Sequence, residues 1–543
     1  MPHLRLGLSF WVVTALAALW LSLGASSTPP GLGYLDFPVT AQDEAVYSHA
    51  AIRMAESVDW ATPYFLDRMF LYKPPLLYWL SGLTVKLFGV SAWALRLPSI
   101  AAAALTAALV FAWVRAEAGW TRAAMATLFL LASPLYLELG RRNMTDALIT
   151  LTIITAVWLA ARDEQLQRGG TIAGLAACVA LGILAKSIAG LVPVFILGAM
   201  WLAASERAPL RRIVLAVTLG VLIALPWFVY QWEVHRRWFE AEFIGVELLA
   251  YGAMAPPQTN EEWALFFYPR RLWSASPGLC VAMLLGVAGL EAKLRERRGG
   301  TVLAVAAAVI MMSAAILAYQ YHNATYVLPL LPLMAIAGGI WTPGWGWALA
   351  PAAALLAHFY PGSHAPPPHP GHPLFALATR YCELNRGNDL IVVDIKDDFS
   401  IANLPLAKLR YAIRGAARPT GGFTLDFRQM GVVLPADEFN NLAQTASRYE
   451  PRLREWGLSG SGALGRVIGW EEFEDLLTLV AANPQRDFLI PLRDFGPPTL
   501  IEKLAALPTH RVERPADGAA MLLLAPQSEP RRPSFPSSRT CRL

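Results

Sequence analysis

Trp93-Ala-Leu-Arg-Leu-Pro-Ser-Ile-Ala-Ala-Ala-Ala-Leu-Thr-Ala-Ala-Leu-Val-Phe-Ala-Trp-Val114 carries a single charged side chain, Arg96, close to its start. An apolar run of about twenty residues is the length a helix needs to cross the hydrocarbon core of a bilayer. Comparable runs lie at 4–24, 121–139, 145–161, 171–186, 188–204, 212–231, 275–291, 301–319, 325–341 and 343–360. Bulk composition agrees. Of 543 residues, 55% are hydrophobic and only 16% charged, against about 25% charged in ordinary soluble domains. The expected fold class is a polytopic α-helical membrane protein of about 11–13 transmembrane helices. Interfacial helices in the outer loops and a C-terminal soluble α/β domain complete it.

Several classes fall away. The formal charge of +5 is too small to argue for nucleic acid. Cys178, Cys280, Cys382 and Cys541 are scattered, and two of them fall in apolar runs, so neither a disulfide framework nor a zinc site is indicated. Leu4 to Gly24 begins with Arg5 and is followed by Ala25-Ser-Ser, as a signal peptide would be. It is long enough to span and many spans follow, so the expectation is a retained first helix.

Working back from Trp93, residues 25–92 form a long loop with amphipathic pieces. Pro74 to Phe88 is apolar but short, with Tyr78 and Trp79 at one end, and reads as a helix lying in the interface. With the N-terminus inside, the inner loops hold Arg115, Arg122, Arg162, Arg168, Arg207, Arg211, Arg212, Lys293, Arg295, Arg297 and Arg298, as the positive-inside rule asks. The outer side nevertheless carries Lys73, Arg141, Arg142, Lys186, Arg236, Arg237, Arg270 and Arg271. Basic residues placed against the rule point to an anionic substrate on that face, or to arginines snorkelling to lipid headgroups. The acidic residues sort the same way: Asp43, Glu44, Asp146, Glu233, Glu240, Glu242 and Glu247 face outward or sit at that edge. So does the large aromatic loop of 232–274.

The first outer loop holds the densest candidate chemistry: Thr40-Ala-Gln-Asp-Glu-Ala-Val-Tyr47, continuing to Leu71-Tyr-Lys-Pro-Pro-Leu-Leu-Tyr-Trp79. Asp43 opens an amphipathic helix that has Tyr47, Ala51, Met54 and Val58 on one side. An acid there is favoured as a helix start by the dipole; equally, with Glu44 beside it, it suits proton abstraction from an attacking hydroxyl. Lys73 precedes two prolines, which deny it a helical conformation and fix the chain direction. A fixed ammonium near the interface suits a phosphate, while a lysine before a proline-initiated helix is also an ordinary interface anchor. Arg141-Arg142-Asn143-Met-Thr-Asp146 lies at the outer ends of the third and fourth spans, where Asp146 is either a first-turn acid or a carboxylate with a partner, Arg142 being near. His322 and Tyr326 belong to a polar cluster at the outer start of the tenth span, loosened by Pro329 and Pro332, or to an aromatic belt.

After Tyr360 the composition turns soluble. The expected domains are 1–360 in the membrane (25–92 and 232–274 being its outer loops), a linker at 361–372, an outer α/β domain at 373–526 and a disordered tail at 527–543. Strands are expected at 390–395, 431–434, 466–470, 488–492 and 521–524, with helices near 373–385, 437–449, 471–482 and 498–507.

Taken together, Asp-Glu in the first outer loop, Lys-Pro-Pro-Leu followed by Tyr-Trp, Arg-Asn-Met-Thr-Asp after the third span and Tyr-Val-Leu-Pro-Leu-Leu-Pro late in the membrane part resemble the GT-C glycosyltransferases. Within these, the resemblance is to the aminoarabinose transferase and protein O-mannosyltransferase-like group, over roughly residues 1–340. It implies enzymes of the bacterial inner membrane that move a sugar from a polyprenyl-phosphate donor to an envelope acceptor (lipid, glycan or protein) on the outer face. Lipopolysaccharide and its lipid A are among such acceptors. Carried over by position, Asp43 matches the catalytic acidic residue and Asp146 the second acidic site. Lys73 matches the carrier-phosphate ligand, Tyr326 the late cavity tyrosine and Arg270 a phosphate-binding arginine of the large outer loop. Beside the resemblance, Glu44 is a further candidate catalytic acid, and Arg142, Tyr47 and His322 are candidate substrate- or phosphate-binding residues. Tyr72 stands where the aminoarabinose transferases commonly have Glu. For cofactors, the acidic residues permit a divalent cation without showing ligand spacing, and membrane lipids are the remaining partner. The rival from another class is a flippase for lipid-linked sugars. It should show polar residues through the midplane and often internal repeats, whereas here the ionisable residues cluster at one face.

Overall fold

The structure is a computed structural model. It describes residues 7–23, 38–65, 68–204, 207–240, 243–244, 247–248, 264–295, 299–318, 323–342, 390–392, 432–433, 467–468, 477, 480–481, 484–491, 498–513 and 520–526. In chain order the elements are α1 (Leu8–Ser22), α2 (Pro38–Glu56), β1 (Tyr64–Phe65), β2 (Arg68–Met69), α3 (Leu76–Phe88), α4 (Ala92–Ala118), α5 (Trp120–Ala132), α6 (Pro134–Arg141) and α7 (Thr145–Arg162). There follow α8 (Gly169–Lys186), α9 (Val192–Ala203), α10 (Leu210–Phe239), α11 (Ala264–Ala275), α12 (Pro277–Arg295), α13 (Gly299–Ala318) and α14 (Leu330–Trp341). Last come β3 (Leu390–Val392), β4 (Val432–Val433), β5 (Val467–Ile468), β6 (Asp487–Pro491), α15 (Pro498–Ala505), β7 (Arg511–Glu513) and β8 (Ala520–Leu524).

The chain forms two compact units. One comprises Met1–Ser27, Ala51–Pro63 and Phe70–Pro366; the other Thr28–Ala50, Tyr64–Met69 and Pro367–Leu543. The boundary falls inside α2, between Ala50 and Ala51.

In the first unit, each of the ten earlier expected spans coincides with a helix or helix pair; the eleventh, 343–360, lies outside the described residues. Among the described residues, four helical stretches are long and apolar enough to cross a bilayer: Ala92–Ala118, Thr145–Arg162, Gly169–Ala203 and Leu210–Arg236. The third expected span is broken. α5 and α6 meet at 69°, because Pro134 offers no N–H and forces Ser133 into an extended conformation. Ser133 caps the new helix, its Oγ accepting from the Tyr136 amide.

The stretch 169–203 is not one rod either. Ser187 sits at φ 53°, ψ −126°, and the chain then folds back. The Gly190 backbone lies so close to Gly182 that a Cβ on Gly190 would stand 2.1 Å from the Ile183 nitrogen. Only glycine permits that approach. α8 and α9 are therefore separate arms joined by a short 3-10 turn, Ser187–Leu191, as the two expected spans at 171–186 and 188–204 require.

Helix ends sort into two levels. At one, Arg212 of α10 donates to the Gln165 carbonyl at 2.9 Å, Thr301 of α13 donates to Glu117 of α4 at 2.9 Å, and Arg115 donates to Ser9 of α1. At the other, Ser81 of α3 donates to Asn143 at 2.8 Å and Ser99 of α4 to the Met144 carbonyl at 3.1 Å. The first level carries the expected inner-loop arginines and the second the candidate chemistry. α3 is 13 residues long, too short to span. It buries Leu77, Tyr78, Ser81 and Val85 and exposes Leu83, Leu87 and Phe88, as an interfacial helix would. α10 runs on to Phe239, so the outer loop starts later than the expected 232, after a non-helical residue at His235.

In the second unit, a four-stranded sheet has the order β3-β6-β8-β7, with β3 parallel to β6 and the other pairs antiparallel. Phe488, Met521, Leu522 and Leu523 are fully buried in it. β4 and β5 form a separate parallel pair. All five expected strand positions and the helix at 498–507 are found, and β7 is an addition. The linker 361–372, the tail 527–543 and the expected helices near 373–385 and 437–449 lie outside the described residues; of 471–482 only 477 and 480–481 are described, as helix.

Candidate active site

Lys73 owes its position to its neighbours. Pro74 and Pro75 are buried, Pro75 stands at the start of α3, and Leu76 and Leu77 anchor the first turn. The ammonium lies 2.6 Å from both carboxylate oxygens of Glu247, which arrives 174 residues later along the chain. The two side chains are 20% and 12% exposed. Tyr72 packs its ring on Phe70 at 5.2 Å between centroids. An acid beside the lysine is therefore Glu247, from the wide helical turns that follow α10. The outer end of α10 is held to the first outer loop: Trp227 and Gln231 donate to the Ala61 carbonyl at 2.7 and 2.8 Å, and Thr62 meets His235 at 3.2 Å.

Asp146 opens α7 at its first turn, where the helix dipole favours an anion. Its Oδ1 accepts from the Lys186 ammonium at 2.7 Å, the side chains being 3% and 16% exposed. Its Oδ2 is buried and has no hydrogen-bond partner among the described residues. Lys186 also lies 5.1 Å from the centroid of the Tyr326 ring, within cation–π range. Carboxylate, ammonium and phenol thus come from α7, the end of α8 and the 3-10 turn Ala324–Val327. The Asn323 amide holds that turn by donating to the Tyr268 hydroxyl at 3.2 Å. Burial pushes the Tyr268 phenol up to about 12, so it stays neutral as an acceptor.

One expectation is corrected. The partner of Asp146 is Lys186 and not Arg142. Arg142 ends α6 and reaches back one turn to pair with Glu138, both side chains being buried. Asp146 lies beyond the extended residues after α6, where the end of α8 is the nearer cation. Arg270 is exposed on α11, and Arg271 lies 5.5 Å over the Phe267 ring. His322 lies outside the described residues. Asp43, Glu44 and Tyr47 belong to the part of α2 grouped with the second unit; Asp43 is half-buried and the other two are buried. Glu247 and Lys186 are the residues that sequence reasoning did not single out. Each was visible only as a charge at the outer edge of a span. Among the described residues, no three His, Cys, Asp or Glu side chains gather as a metal site would require.

Comparison with known proteins adds the following. A family model described as dolichyl-phosphate-mannose-protein mannosyltransferase matches residues 72–232. An undecaprenyl phosphate-alpha-4-amino-4-deoxy-L-arabinose arabinosyl transferase of Aeromonas hydrophila is 30% identical over 209 residues, 37% of this chain and 37% of the relative. The Proteus mirabilis transferase 1 of the same description is 31% identical over 225 residues, 37% of this chain and 40% of the relative. The matched stretch thus spans less than half the length of these curated relatives. The crystal structure of ArnT from Cupriavidus metallidurans bound to undecaprenyl phosphate superposes with a TM-score of 0.61 at 18% identity, over 96% of this chain and all of that one. The chain is therefore a polytopic membrane protein of the GT-C fold, resembling the aminoarabinose transferases in architecture and the mannosyltransferase family in the sequence that holds Lys73, Asp146 and Lys186.

Proposed function

We propose that the protein transfers a glycosyl group from a polyprenyl-phosphate-linked donor to an acceptor of the cell envelope, on the outer face of the bacterial inner membrane. The observation that carries this reading is Lys73, a lysine fixed by two buried prolines; Asp146, Lys186 and Tyr326 form a second charged group at helix ends of the same membrane part. An anion receptor at membrane depth is what a lipid-linked phosphate needs.

The reaction is a single displacement. An acceptor hydroxyl attacks the anomeric carbon, and Asp43, beside Glu44, takes its proton. The bond from that carbon to the phosphate oxygen breaks, and both its electrons leave with the polyprenyl phosphate. Lys73 stabilises the charge that develops there, with Arg270 and Arg142 as further cations. Attack from the face opposite the phosphate inverts the anomeric centre. Asp146, with one oxygen on Lys186 and the other unpaired, positions a sugar or acceptor hydroxyl, and Tyr47, His322 and Tyr326 line the path. The acceptor is a lipid such as lipid A, a glycan or a protein. The chemistry belongs to the membrane part, 1–360, with the α/β domain at 373–526 on the extracytoplasmic side.

The test is mass spectrometry of envelope lipids, glycans and proteins from a deletion strain, searching for one missing sugar. Complementation with the wild-type gene should restore it, and Asp43→Asn or Lys73→Ala should not. Full transfer by both variants would remove the proposal.

A further inference from the structure

Lys73 is bound face-on by Glu247, both carboxylate oxygens at 2.6 Å from one ammonium. A carboxylate in that pose covers the positions two phosphate oxygens would take. We propose that Glu247 is a built-in competitor for the carrier phosphate, and that it drives release of the spent carrier. The inference rests on the reading of Lys73 as the phosphate ligand.

The argument is electrostatic. Glu247 is 12% exposed and Lys73 20%, so neither charge is fully hydrated and each needs a partner. One ammonium cannot hold the carboxylate and a phosphate equally well, since the two anions repel at contact distance. The donor is a phosphodiester with one negative charge. The spent carrier is a phosphate monoester with about 1.5 to 2 negative charges at neutral pH. Chemistry therefore leaves a product that grips the lysine more tightly than the substrate did. A site built on Lys73 alone would be inhibited by its own product. A carboxylate able to return to the ammonium shortens the product's stay. It weakens substrate and product alike, because the fraction of lysine available to phosphate scales the apparent affinity.

Glu247 is also placed for the task. It lies past the end of α10, where Glu247 itself, 243–244 and 248 have wide helical turns. The end of α10 is tied to the first outer loop through Trp227, Gln231 and His235. The carboxylate can swing away while its base stays anchored.

The experiment measures binding of undecaprenyl phosphate to the purified full chain in detergent, for wild type, Glu247→Gln, Glu247→Asp and Lys73→Ala. Glu247→Gln should bind about tenfold more tightly, the change expected if the ion pair occupies the lysine about nine-tenths of the time. Glu247→Asp, shorter by one methylene, should fall between. Lys73→Ala should bind weakly. If Lys73→Ala binds like wild type, the phosphate reading itself fails. If Lys73→Ala is weak but neither Glu247 variant gains affinity, the competitor is overturned and the phosphate reading stands. A second measurement needs no variant. Carbodiimide labelling of Glu247 in the wild-type protein should rise when undecaprenyl phosphate is added; unchanged or reduced labelling at saturating carrier overturns the proposal.

Discussion

Replacing Lys186 by Met should destabilise the protein more than replacing Asp146 by Asn, although each breaks the same ion pair. At 2.7 Å the gross attraction is about 6 kcal/mol with an effective dielectric of about 20, and desolvation takes most of it back. What remains depends on which charge is stranded. Lys186→Met leaves the Asp146 carboxylate, 3% exposed, with no counter-ion and with Oδ2 already unpaired; the expected cost is about 3–5 kcal/mol. Asp146→Asn leaves an ammonium that is 16% exposed, still faces the Tyr326 ring at 5.1 Å, and can turn toward water; the expected cost is about 1–2 kcal/mol. The double variant strands neither charge, so it should recover about 2 kcal/mol relative to the sum of the singles. Denaturant unfolding in detergent, followed by tryptophan fluorescence, ranks all four proteins. Equal single effects that add within about 0.5 kcal/mol would refute the reasoning. The Asn variant should be defective in sugar transfer despite its milder fold defect.

Ser187→Gly should stabilise the fold by about 1–3 kcal/mol, since glycine adopts φ 53°, ψ −126° without strain; Ser187→Ala should not, and thermal unfolding of the two compares them directly. Gly190→Ala puts a Cβ 2.1 Å from the Ile183 nitrogen and 2.2 Å from the Gly182 carbonyl carbon, so little folded protein should be recovered by size-exclusion chromatography. Gly169→Ala, with nothing within 4 Å, should be neutral within about 0.5 kcal/mol. Tyr268→Phe removes the acceptor of the Asn323 amide. It should speed hydrogen exchange over 323–327, with a cost of about 1–2 kcal/mol.

Much of the fold is legible without coordinates because a bilayer imposes a length. A helix crossing it must be apolar for about twenty residues, and that requirement is written locally, as in 93–114. The strands at Leu390–Val392 and Ala520–Leu524 are legible for a similar reason: short apolar runs between turn residues admit few other structures. The site is legible only in part. Lys-Pro-Pro announces a fixed ammonium because proline acts on its immediate neighbour. The partner of that ammonium is 174 residues away, and no local rule reaches so far. The same holds for Asp146. Arg142 is close in sequence, but it turns back along α6 to Glu138, and Lys186 takes the place.

The sequence by itself therefore determined that this is a polytopic membrane protein, where its apolar helices fall, and that Lys73 and Asp146 each stand at the start of a helix. Each of these follows from hydropathy, charge bias or the stereochemistry of adjacent residues. Tertiary structure alone decided the rest. It bends the third span by 69° at Ser133-Pro134. It reverses the chain at Ser187, where Gly182 and Gly190 let two backbones touch. It also closes two ion pairs between distant segments, 40 and 174 residues apart. A buried charge takes as its partner whichever opposite charge the packing of helices brings within about 3 Å, and that is a property of the folded chain.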